Sequence, residues 1–582
     1  MGKIKTIMIL SAMIVTLFAC GGVDAKASAS TDGVSVTVPT NVDIVFNGDG
    51  TTSVSDMYIE NNSLVPVEVQ VVNVTEFNKW KVVPSDKEIL VNSKQFCLSV
   101  DGKELSAGGN FISQTVAEGN RYDFNVEVGH GAWTQTLTSQ KALEIEFEYE
   151  IGTKEFALHL DGNGGALDEV VYEKNGTTVQ LPTPEREGYL FDGWEDSKGN
   201  RYTKDYVMPI GDATLKAAWR KLTAYALYSS SDDSLTFVKT AEAIKAGQTY
   251  NGKTVTTVYT GFEENAYSYY PQVPWYADGK YKSVKHVIFE DVIKPVSTAY
   301  WFYYFEACAN FDVRKLDTSQ VTTMRGMYGM TGREDGISSY IITGMDTWDT
   351  SQVTDMYGMF EASAIMVSTF DIGDIGKWDV SKVKDMRRTF SSAGMRASRV
   401  YIGDLSNWDT GNVEMMSSMF SSFGYETPSV NIGDIGKWNV SNVTDMDYMF
   451  SHFCRDSASV YIGDLSSWNV GKVTDFRNMF YWSAMHVQNW NFGNLGNWDV
   501  SSGKWFDGMF CSAGNYSKTF YVGTLQNWNT ANATSMDFMF EYAGTNASWF
   551  LNCTNWNVKK VTSHNKFNGS VESKVIAPNW VN

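Results

Sequence analysis

At 582 residues the chain is too long for one ordinary hydrophobic core, so several domains are expected. A composition of 43% hydrophobic, 14% aromatic and 20% charged residues is that of folded protein and excludes a largely disordered chain. The net charge of −20 disfavours nucleic acid and anionic lipid as partners, because both demand a basic patch, and suits the solubility of an exposed protein.

Residues 1–27 read as a signal peptide. Lys3 and Lys5 form a positive start, and Ile7 to Ala19 form an apolar stretch too short to span a bilayer comfortably. Two exits from it compete. Ala25-Lys26-Ala27 is an A-x-A cleavage site that would release a chain starting at Ser28. Leu17-Phe18-Ala19-Cys20-Gly21 resembles a bacterial lipobox and would make Cys20 a lipidation site, although Phe18 is unusual there and favours simple cleavage. Membrane association is expected only through Cys20.

Residues 28–152 carry alternating runs such as Val34 to Val38 and Val67 to Val71, separated by turn clusters such as Asn47 to Thr51. That pattern predicts an antiparallel β-sandwich. Residues 153–221 are more specific. Gly162, Gly164 and Gly165 supply turns, and Tyr189, Phe191, Trp194 and Trp219 supply a small core. The order Leu160-Asp-Gly-Asn-Gly-Gly165, Leu181-Pro-Thr-Pro184, Gly188 to Trp194 and Ala213 to Trp219 resembles the internalin-type B repeat, also called the Listeria–Bacteroides repeat. The resemblance implies a small β-grasp-like module of secreted proteins. Residues 222–312 hold strand-like runs, among them Ala224 to Tyr228 and His286 to Glu290, and are expected to cap the repeats that follow.

From 313 to 570 the chain repeats. Tryptophan stands at 348, 378, 408, 438, 468, 498 and 528, then at 556, so the interval is 30 residues six times and then 28. Phe360, Phe390, Phe420, Phe450, Phe480, Phe510 and Phe540 keep the same phase. Within a unit, pairs such as Val430 and Ile432 alternate like a strand with one buried face. Val473, Phe476, Met479 and Phe480 are spaced by three and four, which predicts one or two turns of helix, with Thr474-Asp475 as its cap. A strand and a short helix cannot bury their own apolar faces. Stacked rungs can, and the expected fold is a leucine-rich-repeat-like α/β solenoid with 30-residue rungs, behind the all-β N-terminal modules and closed by residues 571–582. A period of 60 is superposed: Tyr401, Tyr461 and Tyr521 alternate with Asp371, Asn431 and Asn491, and Ile-Gly-Lys-Trp378 alternates with Leu-Ser-Asn-Trp408.

Trp348-Asp-Thr-Ser-Gln-Val-Thr-Asp-Met-Tyr-Gly-Met-Phe360 and its counterpart from Trp438 to Phe450 look like the signature of BspA-like leucine-rich-repeat surface proteins. The resemblance covers about residues 313–568. It implies an extracellular bacterial protein with adhesive or interaction roles. The unit is longer than the usual leucine-rich repeat and rich in Met and Trp rather than Leu, which leaves curvature and ligand open.

Catalytic signatures are missing from the sequence. The six histidines form no HExxH or paired arrangement, and neither GxSxG nor a phosphate-binding glycine loop occurs. Asp374, Asp404, Asp434 and Asp464 form a carboxylate column that is expected to accept turn hydrogen bonds; no metal or cofactor is expected. The expected function is binding rather than catalysis: a cell-surface or secreted protein presenting its repeats to an extracellular protein or glycan. A structural cell-envelope protein without a specific ligand is the alternative. If Val400 and Ile402 point inward, Tyr401, Tyr461 and Tyr521 point outward and are the candidate ligand-binding residues.

Overall fold

The computed structural model describes all residues except 1–3, 14–25, 32–33, 40, 47–50, 109–112, 133–139 and 582. The chain divides into two compact units, Met1–Lys221 and Leu222–Asn582.

In the first unit, a six-stranded sheet runs in the order Ser113–Val116, Val67–Glu76, Gln140–Ile151, Ile4–Met13, Asn41–Phe46, Thr52–Val54. Two four-stranded sheets accompany it. Inward residues such as Val36, Phe46, Val69, Trp80, Phe96 and Phe147 are buried, as the alternation requires. Ile4–Met13, which overlaps the Ile7 to Ala19 stretch expected to be the apolar part of a leader, pairs antiparallel with Gln140–Ile151 and parallel with Asn41–Phe46. A continuous apolar run suits the middle of a covered sheet as well as it suits a leader. The Cys20 lipidation site lies outside the described residues.

Residues 155–221 build a five-stranded sheet in which Glu155–Asp161 lies parallel to Ala213–Lys221 and antiparallel to Asp168–Lys174. Trp194 is fully buried and donates through Nε1 to the Pro182 carbonyl (2.8 Å); Trp219 donates to the Gly162 carbonyl (3.0 Å). The aromatic pattern thus folds the Gly-rich turn and the Pro segment onto one small core.

The second unit corrects the expected fold class. It is all-β, and among the described residues it contains no α-helix; its only helices are 3-10 turns of three or four residues. The α/β reading fails in the segment that carries Phe476, Met479 and Phe480. There the backbone alternates between right- and left-handed conformations, with positive φ at Ser418 and Ser422, at Tyr448 and His452, and at Asn478 and Trp482. Alternate peptides consequently turn their N–H groups toward the next rung. Met446, Tyr448, Phe450 and His452 donate to the carbonyls of Asp475, Arg477, Met479 and Tyr481 (3.1, 2.8, 2.8 and 2.6 Å). The peptides between them close i to i−3 turns, as in Met449 N–H to Met446 O (3.2 Å). An α-helix would bond all of these groups within its own rung and leave neighbouring rungs unlinked. The spacing of three and four is kept, and Met449 and Phe450 are buried, but in turns rather than a helix.

Each rung contributes a three-residue strand, a 3-10 turn that ends at tryptophan, and a single parallel bridge. Ser429–Asn431, Ile435–Lys437 and the bridge at Asp445 illustrate one rung. Partners are 30 residues apart: Val430 faces Val460, and Asp445 bridges Asp475. An eight-stranded sheet continues from Thr223–Ser229 through to Arg399–Tyr401; beyond it the strands pair two by two, Ser429–Asn431 with Ser459–Tyr461 and Asn489–Asn491 with Thr519–Tyr521. Residues 222–312 thus share a sheet with the first repeats. Trp275 Nε1 donates to the Trp301 carbonyl (2.5 Å) and Tyr276 Oη to the Tyr300 carbonyl (2.9 Å), so side chains occupy carbonyls that have no preceding rung. At the far end Trp580 stacks on His564 at 4.0 Å and meets Phe567 edge-on at 5.1 Å.

Tryptophan's place in its column has a specific cause. Trp378, Trp408, Trp438, Trp468, Trp498 and Trp528 each donate Nε1–H to the carbonyl of the residue 33 positions earlier, at 2.8–3.0 Å. All six are at most 4% exposed. The indole fills the core and also stitches its rung to the one before, which neither Leu nor Phe can do.

Candidate functional site

The outward strand positions form the candidate site. Tyr401, Tyr461 and Tyr521 are exposed by 42%, 52% and 47%, whereas Ile402, Ile462 and Val522 beside them are buried. All three hold the same place on alternate rungs, and each lies on the last strand of its ladder. Between them stand Asn431 and Asn491, both exposed, whose Oδ1 atoms accept the N–H of Gly433 and Gly493 (3.0 Å each). The amide nitrogens are left as outward donors. Gly403, Gly433 and Gly463 follow with φ of +83°, +85° and +82°, a region an L side chain enters only with strain. A Cβ there would also run into Asp374, Asp404 or Asp434 of the preceding rung.

At the next corner three of the four carboxylates of the column cap turns, whereas Asp434 makes no such bond and faces Lys437 Nζ at 3.9 Å. Asp374 Oδ1 accepts Gly376 N–H (3.1 Å), Asp404 Oδ1 accepts Ser406 N–H (2.9 Å), and Asp464 Oδ1 accepts Ser466 N–H (2.8 Å). The Ser406 hydroxyl also donates to Asp404 and holds its carboxyl below the ordinary range. The same hydroxyl accepts Asp434 N–H (2.6 Å). This explains why Gly376 and Gly436 alternate with Ser406 and Ser466. A Cβ at Gly376 or Gly436 would collide with the carbonyl oxygen of Asp404 or Asp464, whereas the serine at 406 and 466 bridges to the following rung.

A second cluster escaped the sequence reading. Carboxyl oxygens of Asp445, Asp447 and Asp475 come within 4.8 Å of one another, and among the described residues they alone form a group of three or more acidic, His or Cys side chains able to share a cation. Burial, then neighbouring carboxylates, pushes Asp445 up to about 6. Arg477 pairs with Asp475 (2.5 Å) and offsets part of the negative charge. Asp445 and Asp475 also cap the turns that follow, accepting N–H from Asp447 and Arg477 (3.1 and 3.0 Å). The signal was present as Asp355, Asp385, Asp445 and Asp475 in the 30-residue phase, but adjacency of Asp447 to Asp475 is a product of stacking.

Cys308, Cys454, Cys511 and Cys553 are buried free thiols, and Cys97 is partly exposed. Burial raises the thiol pKa at all four buried positions.

Comparison with known families adds two matches. Residues 159–223 match the divergent InlB B-repeat domain. Residues 299–423, 395–495 and 464–580 match a family described as Mycoplasma protein of unknown function, DUF285. No solved structure matches the chain. The B-repeat resemblance is thereby borne out, whereas neither match is to a BspA-like leucine-rich-repeat family. The chain carries a divergent InlB B-repeat module followed by overlapping DUF285 matches, an organisation consistent with a surface or secreted repeat protein.

Proposed function

We propose that this protein is exported, by cleavage after Ala27 or by lipidation at Cys20, and binds an extracellular protein or glycan through its repeat stack. Binding rather than catalysis is the activity. The observation that carries this reading is the column Tyr401, Tyr461 and Tyr521. Large rings stand 42–52% exposed at the same strand position of alternate rungs, whereas the other strand aromatics of the array, such as Tyr340, Phe370, Trp490 and Phe520, are buried. Exposed tyrosines give contact area at small ordering cost, and a regular array holds them in place before a ligand arrives.

The test is a binding screen of the full chain against immobilised matrix glycoproteins, mucins and polysaccharides. A Tyr401/Tyr461/Tyr521→Ala triple variant is run in parallel, with circular dichroism to confirm folding. Saturable binding lost in the folded variant supports the site. Binding retained by the variant discards these tyrosines, and no binding to any class moves the reading to a structural envelope protein.

A further inference from the structure

The tyrosine face has a chemistry narrower than "protein or glycan". From Ser429 to Tyr521 its eight outward strand positions are Ser429, Asn431, Ser459, Tyr461, Asn489, Asn491, Thr519 and Tyr521, all exposed and all uncharged. This is a neutral strip on a chain of net charge −20. An anionic ligand would meet the field of the whole protein, and a cationic one would find carboxylates only at the next corner, where Asp404 and Asp464 already accept turn hydrogen bonds; a neutral ligand suits the strip.

The pattern also repeats. Two rungs separate successive tyrosines, one step between hydrogen-bonded strands and one between strands that are not paired, an interval on the order of 10 Å. Successive rings in the buried phenylalanine column, Phe390, Phe420 and Phe450, are 5.4 and 5.9 Å apart, so two rungs span about 11 Å there. An extended β-linked polysaccharide repeats its sugar faces every second residue, at about this interval. Protein interfaces instead concentrate aromatic anchors in a contiguous dry core. Here every residue between the tyrosines is polar, so the strip offers equal, separated subsites.

Building on the binding role proposed above, we infer that the ligand is a neutral, extended β-linked glycan lying along the stack. Tyr401, Tyr461 and Tyr521 pack against the apolar faces of alternate sugars, and the side-chain amides of Asn431 and Asn491 donate to hydroxyls between them. Thr519, whose hydroxyl donates to Asn489 Oδ1 (2.8 Å), fixes the neighbouring side chain rather than meeting the sugar. Tyr401 stands at the charged end of the strip, with Arg399 on its own strand and Asp371 in register with it on the preceding rung, so Tyr461 and Tyr521 form the fully neutral part.

The experiment titrates the full chain calorimetrically with neutral β-1,4-linked gluco-oligosaccharides of increasing length. A polyuronate and a matrix glycoprotein form the other arms. Affinity should rise with length until the three tyrosines are spanned, a face of about 20 Å. Tyr461→Ala should weaken the longest oligosaccharide by on the order of tenfold while leaving disaccharide binding little changed. No binding of neutral oligosaccharides, with binding of the glycoprotein abolished by the triple alanine variant, overturns the glycan assignment and keeps the binding face. Preference for the polyuronate overturns it too. Absence of binding in every arm overturns both this inference and the binding role.

Discussion

The tryptophan column can be tested at Trp438, in the middle of the array. Its indole is 3% exposed, stacks on Trp408 at 5.9 Å and donates Nε1–H to the Leu405 carbonyl at 2.9 Å. Trp438→Phe keeps an aromatic ring but removes the donor and part of the volume. The missing ring leaves a cavity of roughly 40 Å³, about 1 kcal/mol at the usual cost per unit volume. The lost hydrogen bond adds about 1 kcal/mol. That figure belongs at the low end, because Leu405 O still accepts Trp408 N–H at 3.1 Å and is not orphaned. The expected total is about 2 kcal/mol, against about 4–5 kcal/mol for Trp438→Ala. Urea unfolding followed by far-ultraviolet circular dichroism measures the loss, and hydrogen exchange should localise it to the rungs of Leu405 and Trp438. If Trp438→Phe stays within about 0.5 kcal/mol of the parent, the indole hydrogen bond does not join the rungs and the account of the column is wrong.

Four further outcomes follow from the same geometry. Gly376→Ser should destabilise by more than about 2 kcal/mol, because its Cβ meets a backbone oxygen, whereas Ser406→Gly should cost only about 1 kcal/mol; equal melting temperatures for the two variants would refute the explanation of why glycine and serine alternate there. Ser418, with φ +57°, should tolerate glycine with no loss or a gain of up to about 1 kcal/mol, while Ser421→Gly, outside the left-handed positions, should lose about that much; thermal denaturation compares them. Asp445 carries its proton more readily folded than unfolded, so its stabilising contribution is complete below the ordinary value of 3.8 and is lost as pH rises through about 6, whereas Asp404, shifted downward, contributes at neutral pH and loses that below the ordinary carboxylate range. Asp445→Asn should therefore melt above the parent at pH 7, with the gap closing toward pH 4.5. Iodoacetamide on the folded full chain should modify Cys97 and spare Cys308, Cys454, Cys511 and Cys553; mass spectrometry showing alkylation of the buried thiols without unfolding would contradict their burial.

How much of this was legible in the sequence depends on which physical rule wrote it. Burial follows periodicity, so the Trp, Phe and Val/Ile columns announced a stacked repeat with a continuous core, and the B-repeat announced itself through glycines and aromatics in fixed order. The outward placement of Tyr401, Tyr461 and Tyr521 follows from strand alternation alone. The class of the second half did not. A spacing of three and four at Phe476, Met479 and Phe480 is common to a helical turn and to the alternating-handed turns found here. The choice between them is made by where the N–H groups of Met446, Tyr448 and Phe450 find acceptors, and those acceptors lie about 30 residues away. The meeting of Asp445, Asp447 and Asp475, and the role of Gly376 against Asp404, are likewise properties of neighbouring rungs in contact. What each residue would bury or expose was fixed locally, by composition and period; which backbone it adopts, and which charges it meets, was decided only when one rung supplied the partners of the next.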